Sequence, residues 1–580
     1  MLSYRKLAMR VLGRPLHTGG SDSPRPASQR AAAFILTAAM LTTLAAPAFA
    51  DIWRIENGDI TISAGESGND VTQNNVTTKN DTNTIITNQK TDIASSNTVT
   101  IDAGNDKVEV TLDNVNIKAK TDSGSALTSK GDVTLTLKGD NHLTGGISGN
   151  GYGGSGIAST GSLTISGGET DSLTAQGGSG ENGGDGISSK DLTISGGTVT
   201  ATGGNSTGIV GSGGSGIHSG GDVTISGGTV TATGGDSTGS DGSGGYGIYS
   251  SSTTTISGGT VTATGGDSTG SYSSGGYGIY SSGVTISGGS TVTANGGSGK
   301  DGSGDGIFSF DPVAISGGTV KAAGGDSKDG YGGDGIRSGG VTISGGTVNA
   351  AGGNGGKVGG YGICSFARVA ISGGTVNAAG GNGKNSNGGS DGIISNDIDL
   401  SGSLELTAKA GRPNGKAISW AGSELDLDDI KDKLDPGAKV TATDANGETK
   451  QVSVPRPVEP EKPVIPEESS SSSGGGSAAP SAPASPLPGL TVTDKDGQRI
   501  SYTSTQSGNT LTVCVGRFTA SFRISLAALR QLRAEGIEAI TFQTILCSTT
   551  LSVDELLAMG GEDAEVVLTH RLTDSSLTVG

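Results

Sequence analysis

The chain has 580 residues, of which 107 are glycine and only 3% are aromatic, and its formal net charge at pH 7 is −18. A chain of this length with so few aromatic side chains is not expected to build one large globular core. The excess of acidic residues argues against nucleic acid and anionic membranes as partners, because both would repel the protein surface.

Residues 1–50 have the pattern of a secretory signal peptide. A basic stretch precedes the apolar run 31–44, which reads AAAFILTAAMLTTL, and the sequence APAFA follows it. The run is too short to cross a bilayer as a helix, and an ending of small residues is typical of a cleavage site. We therefore expect cleavage after Ala50, export from the cell and a mature chain without a transmembrane segment.

A repeat of about 30 residues occupies the region 51–420. The isoleucine of the phrase ISGG recurs at spacings of 28 to 31 residues, at Ile165, Ile194, Ile225, Ile256, Ile286, Ile315, Ile343 and Ile371. A second marker, Gly-x-Gly-Ile, recurs in phase with it, at Ile157, Ile187, Ile217, Ile248, Ile279, Ile307, Ile336, Ile363 and Ile393. Two markers in phase make chance self-similarity implausible.

Local periodicity within the repeat predicts strands. In VTISGGTVTATGG the apolar residues Val223 and Ile225, then Val230 and Ala232, alternate with polar residues, and Gly-Gly pairs bound each run. Period two with β-branched residues favours short strands, and no copy contains a helical pattern. We predict an all-β fold, a right-handed parallel β-helix with coils of 28–31 residues. About ten or eleven such coils would form a rod with one interstrand spacing per coil.

Residues 421–454 are predicted to cap the last coil. They contain the acidic run ELDLDDIKDKLD and the hairpin candidate KVTATDANGETKQVSV, with a turn at Asn446 and Gly447. A cap is needed because the end of a β-helix is an open sheet edge. A linker then follows at 455–489, which holds nine of the sixteen prolines and is expected to be extended.

Residues 490–580 are predicted to form a small α+β domain of unknown function. The segment SLAALRQLRAEG is an amphipathic helix candidate with Ser525 as its N-cap and Gly536 as its end. A second short helix is expected to begin at the capping box SVDE. Only three cysteines occur in the chain, too few for a disulfide scaffold, and pairing of Cys514 with Cys547 is left open.

An enzyme is one alternative, because parallel β-helices include many polysaccharide lyases and hydrolases. Hydrolysis of a glycosidic bond requires at least two carboxylates at one site. Only His142 and His218 among the histidines lie in the repeat region, and no carboxylate cluster stands beside either in the sequence. We therefore expect no catalytic activity.

Metal binding is suggested by the variable residue x of Gly-x-Gly-Ile, which is Asp185, Asp305, Asp334 and Asp391 in four coils. Asp305 and Asp334 should stack in adjacent coils about 4.8 Å apart. Carboxylates this close repel each other unless a cation or a proton relieves them, so calcium is expected at this pair. The alternative is that both face solvent and are screened. A second column follows Gly-Gly and is expected to form Asx turns: Asn205, Asp236, Asp267, Asp326, Asn354 and Asn382.

A carbohydrate-binding surface is suggested by the residue after each Gly-x-Gly-Ile isoleucine, which should face outward. This residue is Tyr249, Tyr280 and Phe308 in three consecutive coils. Exposed aromatic rings in a row predict a stacking platform for sugar rings. The alternative is that aromatic neighbours only stabilise the stacked strands. Outward threonines such as Thr229 and Thr231 form a regular array that also raises ice binding, although threonine is common in strands.

The run VEVTLDNVNIKAKTDSGSALTSKGDVTLTLKGDNHLTGG, residues 108–146, and the ISGGTVTATGG units after it resemble a known family. This is the secreted bacterial carbohydrate-binding β-helix family of plant-fibre-degrading and gut anaerobes, and the resemblance covers residues 90–420. It implies a right-handed β-helix that binds plant cell-wall polysaccharide such as pectin or cellulose, including acidic chains with calcium, without cleaving it. The present array is longer and richer in glycine than is usual in that family.

These patterns together predict a secreted or surface-associated, non-catalytic protein that binds polysaccharide. Retention at the bacterial cell surface is left open. One alternative is a structural adhesin or stalk in which the repeats only space the C-terminal module. A polysaccharide lyase or hydrolase is the less favoured alternative.

Overall fold

The computed structural model describes residues 52–455 and 489–579, apart from 121–122, 150, 387, 495–497, 501, 508, 516–518, 545–547, 559–563 and 571–574. The predicted signal peptide and nearly all of the predicted linker therefore lie outside the described residues. The chain divides into two compact units, and the division falls after residue 460.

The first unit is a parallel β-solenoid of about fifteen turns, which confirms the predicted all-β parallel β-helix. At about 4.8 Å per turn, this unit is about 70 Å long. More coils are present than the ten or eleven expected, because coils that lack the ISGG phrase also stack in register. The strand Leu127–Lys138, for example, pairs in parallel with Ile157–Ser159.

Each regular coil contributes strand segments to three faces. Face 1 begins at the isoleucine of Gly-x-Gly-Ile, face 2 carries the VTI segment, and face 3 carries the TVTAT segment. Faces 1 and 2 belong to one sheet of 23 strands. Its strands are Ile52–Arg54, Ile60–Ala64, Asn69–Gln73, Val76–Asp81, Ile85–Thr87, Val99–Asp113, Leu127–Lys138, Ile157–Ser159, Ser162–Ser166, Ile187–Ser189, Asp191–Ile194, Ile217–Ser219, Val223–Ile225, Ile248–Ile256, Ile279–Ile286, Ile307–Ser309, Val313–Ile315, Ile336–Ser338, Val341–Ile343, Ile363–Ile371, Ile393–Leu400, Ile418–Trp420 and Ser423–Glu424.

Face 3 belongs to a second sheet, of 13 strands. Its strands are Asn116–Lys118, Asp140–Thr144, Ser172–Gln176, Thr198–Thr202, Thr229–Thr233, Thr260–Thr264, Thr291–Asn295, Thr319–Ala323, Thr347–Ala351, Thr375–Ala379, Glu405–Lys409, Lys439–Thr443 and Thr449–Ser453. The repeat explains both sheets, because each coil must present the same cross-section to its neighbours.

The interior is built from ladders of identical residues. Ile217, Ile248 and Ile279 stand opposite one another in face 1, and all three are fully buried. Val199 and Val230 are likewise opposite each other in face 3. Burying one such side chain contributes about 1.5–3 kcal/mol, so the alternating pattern is the main source of stability.

Glycines are required where the chain turns a corner or approaches another coil. Gly228, the second glycine of its ISGG phrase, has a φ of 80° at the corner between faces 2 and 3. This left-handed conformation favours glycine. At the next corner, a Cβ added to Gly234 would lie 2.0 Å from the carbonyl oxygen of Gly245 in the same coil. A larger residue there would push the chain segments apart.

Non-parallel elements lie at both ends of the solenoid. At the C-terminal end, the 3-10 helix Leu427–Lys433 precedes the antiparallel hairpin of Lys439–Thr443 and Thr449–Ser453. In the hairpin turn, Asp444 Oδ1 accepts hydrogen bonds from the backbone N–H groups of Asn446 and Glu448. At the N-terminal end, a second 3-10 helix, Ile55–Asn57, lies near a set of antiparallel strands beginning at Ile60–Ala64. At the C-terminal end, Thr449–Ser453 pairs with the edge of Lys439–Thr443, which would otherwise be left unpaired where the parallel coils stop.

The second unit is a small α+β domain, as predicted. One four-stranded sheet contains Leu490–Thr493, Ala520–Ser525, Glu565–His570 and Ser575–Val579, and the other contains Thr503–Ser507, Thr510–Cys514, Ala539–Gln543 and Ser548–Ser552. The helices are Leu526–Ala534 and Val553–Ala558. Ser525 caps the first helix by accepting a hydrogen bond from Ala528 N. Cys547 lies outside the described residues, so its pairing with Cys514 stays open.

Candidate functional site

The three aromatic residues predicted as a platform lie in adjacent coils of face 1. Tyr249 is in register with Tyr280, and Tyr280 with Phe308. Their ring centroids are 5.3 Å and 5.1 Å apart, and the ring planes differ by only 8° and 10°. Because these distances are close to the coil spacing of about 4.8 Å, the rings stack face to face along the solenoid axis.

Two further tyrosines widen this cluster. Tyr246 and Tyr277 occupy the x position of Gly-x-Gly-Ile, and their rings stack at 5.7 Å with an angle of 10°. Tyr246 also stacks on Tyr249 at 5.5 Å, and Tyr277 lies 5.3 Å from Phe308. We call Tyr246, Tyr249, Tyr277, Tyr280 and Phe308 the aromatic ridge. Comparing the x column with the column after isoleucine would have revealed the two additional rings.

All five side chains of the ridge are partly exposed. The faces of its inner rings contact neighbouring rings, which leaves little flat surface on which a sugar ring could stack. A tyrosine hydroxyl both donates and accepts hydrogen bonds. Burial raises the pKa of the Tyr246 and Tyr280 phenols, so both keep their donor proton at neutral pH. The ridge therefore offers a row of phenol groups at fixed spacing rather than a flat aromatic platform.

One end of the ridge carries a histidine–carboxylate pair. His218 is in register with Tyr249, and the two rings meet edge to face at 4.7 Å. His218 Nδ1 lies 3.0 Å from Asp185 Oδ2, and this hydrogen bond raises the pKa of His218 although burial opposes the change. The sequence did not reveal this contact because Asp185 belongs to the preceding coil. Asp185 is a single carboxylate, whereas hydrolysis of a glycosidic bond requires two at one site.

Two buried carboxylates lie in the coils that follow the tyrosines of the ridge. Asp305 and Asp334 are each only 4% exposed, so the alternative in which both face solvent is wrong. Asp305 Oδ1 accepts a hydrogen bond of 2.6 Å from Asp334 N, and Asp334 Oδ1 accepts one of 2.7 Å from Tyr361 N. Each carboxylate thus satisfies a backbone donor of the next coil.

The charge of this pair is only partly balanced. Arg337 Nη1 lies 3.8 Å from Asp334 Oδ2, and its guanidinium also lies over the ring of Phe366. Within the described chain, Asp334 Oδ2 has no hydrogen-bond partner. Burial raises the pKa of Asp334 to about 6, and burial together with the charge of Asp334 raises the pKa of Asp305 well above its usual range. Arg337 offsets part of the repulsion, and the raised pKa values mean that this pair loses its protons at a higher pH than isolated carboxyl groups do.

Calcium fits this pair poorly. Calcium takes six to eight oxygen ligands, whereas one oxygen of Asp305 and one of Asp334 already accept backbone hydrogen bonds. No group of three or more His, Cys, Asp or Glu side chains suited to a metal ion occurs among the described residues. Calcium at Asp305 and Asp334 stays a prediction without geometric support.

The column after Gly-Gly links successive coils rather than forming Asx turns, so that prediction is wrong. Asp236 Oδ1 accepts a hydrogen bond from Asp267 N at 2.8 Å, and Asp267 Oδ1 accepts one from Ser298 N at 2.7 Å. The same bond joins Asp326 to Asn354 N. In a solenoid, a backbone N–H group of the next coil lies within reach of the Asp or Asn side chain. The side chain bonds to that group instead of to the N–H group two residues along its own chain, as in an Asx turn.

The chain matches no family model, no curated protein and no solved structure. The resemblance to carbohydrate-binding β-helices therefore rests on the sequence pattern, and its coarser part, the parallel β-solenoid, is confirmed. Across the described residues, no helix has the length and apolar character needed to cross a membrane.

Proposed function

We propose that the protein is a secreted or surface-associated, non-catalytic solenoid that binds polysaccharide along the aromatic ridge. The supporting observation is the concentration of aromatic side chains on one outward surface. Four of the ten tyrosines in a chain with 3% aromatic residues lie on the ridge, and all of its rings are partly exposed. Aromatic edges bordered by polar groups are typical of sites that orient a ligand through a few directed contacts.

The ridge would recognise sugar hydroxyls chiefly through hydrogen bonds. Tyr246, Tyr249, Tyr277 and Tyr280 supply phenol groups in two adjacent coils. His218 lies in the coil before them, and Arg337 lies in the coil after that of Phe308. The stacked rings fix one another, so little side-chain freedom is lost when a ligand binds. An extended chain lying along the solenoid axis would meet these groups in succession.

A second candidate function, a stalk that spaces the C-terminal unit, is favoured by the same stacking. The rings of Tyr249, Tyr280 and Phe308 stack on one another, as expected for residues that hold coils together. Under this function the ridge binds nothing. If the ridge binds polysaccharide, its loss should weaken ligand binding. If the protein is a stalk, the loss should change only stability.

Affinity electrophoresis of the full chain in gels containing soluble pectin or soluble cellulose derivatives tests the proposal. The parent protein should be retarded in at least one gel, and Tyr249→Ala/Tyr280→Ala should bind about tenfold more weakly or worse. Tyr152→Ala is the matched control, because Tyr152 is 69% exposed and lies outside the ridge. Unchanged retardation of the ridge variant would favour the stalk, and release of unsaturated or reducing ends would contradict a non-catalytic role.

A further inference from the structure

The loops that lead from face 3 to face 1 border an open cleft of about 530 Å³. Three stacked segments from successive coils line it, residues 267–269, 298–300 and 326–328. Its volume is within the range of about 300–1,000 Å³ that is usual for small-molecule sites. None of the lining residues belongs to the aromatic ridge.

The cleft arises where the loops become shorter. The loop between Thr260–Thr264 and Ile279–Ile286 has fourteen residues, 265–278, whereas the loop of the next coil has eleven, 296–306. In that shorter loop, Ser298 occupies the column position held by aspartate in the flanking coils. A shorter loop and a smaller side chain together leave the open space.

Residues that carry hydrogen-bond acceptors and residues that carry donors both line the cleft. Asp267 Oδ1 accepts a bond from Ser298 N and Asp326 Oδ1 accepts one from Asn354 N, which orients each carboxylate and leaves its second oxygen as an acceptor. Lys300 and Lys328 supply ammonium donors, and neither takes part in an ion pair with a described residue. Two aspartates and two lysines therefore border the same cleft.

An exposed tyrosine lies close in sequence to two of the lining segments. Tyr272 comes three residues after segment 267–269 and is 74% exposed, and Tyr331 comes three residues after segment 326–328 and is 58% exposed. Neither ring stacks on another aromatic ring in the described part of the chain. Lys357 Nζ lies 5.8 Å from the centroid of the Tyr331 ring. Unlike the ridge, these tyrosines keep ring surface available for the C–H groups of a sugar.

We infer that this cleft binds a neutral oligosaccharide. Its two carboxylates balance its two ammonium groups, and Asp301 and Asp329 lie one residue beyond the two lysines. An acidic sugar would be repelled by these carboxylates and by a chain of net charge −18, whereas sugar hydroxyls can bond both to carboxylates and to ammonium groups. The inference rests on the proposed function for the class of ligand and assigns it a second site.

Isothermal titration of the full chain with cellohexaose, xylohexaose and mannohexaose, and with hexagalacturonate as the acidic counterpart, tests the inference. At least one neutral hexasaccharide should bind, and Lys300→Ala/Lys328→Ala should raise its Kd about tenfold or more. Lys321→Ala, an exposed lysine on face 3, is the control and should leave the Kd unchanged. Binding of the acidic sugar alone, or of no sugar, would overturn the inference.

The ridge variant separates this inference from the proposed function. Tyr249→Ala/Tyr280→Ala should keep the parent affinity for the neutral hexasaccharide while it loses retardation by the polymer. If the ridge variant loses the hexasaccharide and the lysine variant retains it, the cleft is not the site although the proposed function stands. If the lysine variant alone loses the hexasaccharide, the cleft is supported even where polymer binding at the ridge fails.

Discussion

The two compact units bury titratable groups with opposite responses to pH. In the solenoid, Asp305 and Asp334 are buried with raised pKa values. In the C-terminal unit, His570 is fully buried and burial lowers its pKa. Repetition causes the first arrangement, because a residue at one coil position recurs above itself and brings like charges together. The non-repetitive unit instead buries a single uncharged imidazole beside Thr549.

The largest effect is expected from a charge in the repeated interior. Ile248→Asp places a carboxylate between Ile217 and Ile279 in a fully buried ladder, and the expected loss of stability is more than about 4 kcal/mol. Calorimetry should show the solenoid transition lowered or lost while the C-terminal unit keeps its own. An equal shift of both transitions would contradict the independence of the two units.

Tyr280→Ala should have the next largest effect. The Tyr280 ring contacts Tyr246, Tyr249, Tyr277 and Phe308 at centroid distances of 5.1 to 5.4 Å. Losing this packing is expected to cost about 2–3 kcal/mol, because aromatic pairs contribute beyond the area that they bury. Chemical denaturation is the measurement, with Tyr152→Ala as a control that should change stability by less than about 0.5 kcal/mol. Equal, small changes in both variants would mean that the ridge does not hold the coils together.

Asp305→Asn should stabilise the solenoid at pH 7.5 by about 1–2 kcal/mol. Asparagine keeps the oxygen that accepts from Asp334 N but removes one of two neighbouring charges. Because the folded pKa values are raised, the native state holds more protons than the unfolded state between about pH 4 and 6. The stability of the parent should therefore fall as pH rises through this window and beyond it, and the variant should depend less on pH.

Melting temperatures at pH 4.5 and 7.5 check this prediction. Asp267→Asn is the matched control, because Asp267 makes the same kind of bond to the next coil but is exposed. An Asp305 variant that is less stable than the parent at pH 7.5 would contradict the prediction, because the carboxylate would then stabilise the fold by more than its burial and repulsion cost.

The smallest effect is expected in the C-terminal unit. The folded pKa of His570 lies below its unfolded value of about 6.5, so the unfolded state binds more protons at acidic pH. The melting temperature of this unit should fall as pH is lowered from 7.5 to 5.5, and His570→Gln should reduce that dependence. His142→Gln, which changes an exposed histidine of the solenoid, should leave it unaltered. A melting temperature of the C-terminal unit that rises as pH is lowered would contradict the burial of His570 as a neutral imidazole.

The fold could be predicted because period-two alternation specifies which residues face inward, and the repeat length specifies which residues stack. Ile225 and Ile256 stand opposite each other as the phrase ISGG requires. The same columns identified Tyr249, Tyr280 and Phe308. Each column considered alone does not reveal contacts with another column, and for that reason it indicates neither Tyr246 and Tyr277 nor the Asp185–His218 pair. The coils before residue 157 lack the ISGG phrase, so the phrase alone predicts too few coils.

Burial of the aspartates and the pairing of the last ninety residues depend on three-dimensional packing that alternation does not encode. The x residue precedes its strand, and its direction is decided by the corner, so the sequence left open whether Asp305 faced solvent. In the C-terminal unit, Ala520–Ser525 pairs with Glu565–His570 across 40 residues of sequence, without a repeat to indicate its partner.

Footprinting of tyrosines by chemical nitration and mass spectrometry, with and without a bound soluble polysaccharide, tests the central claim most directly. If polysaccharide lies along the ridge, Tyr249 and Tyr280 should be protected from nitration in the bound protein, while Tyr152 reacts equally in both samples. Equal nitration of Tyr249 and Tyr280 with and without a polysaccharide that the protein demonstrably binds would contradict the account.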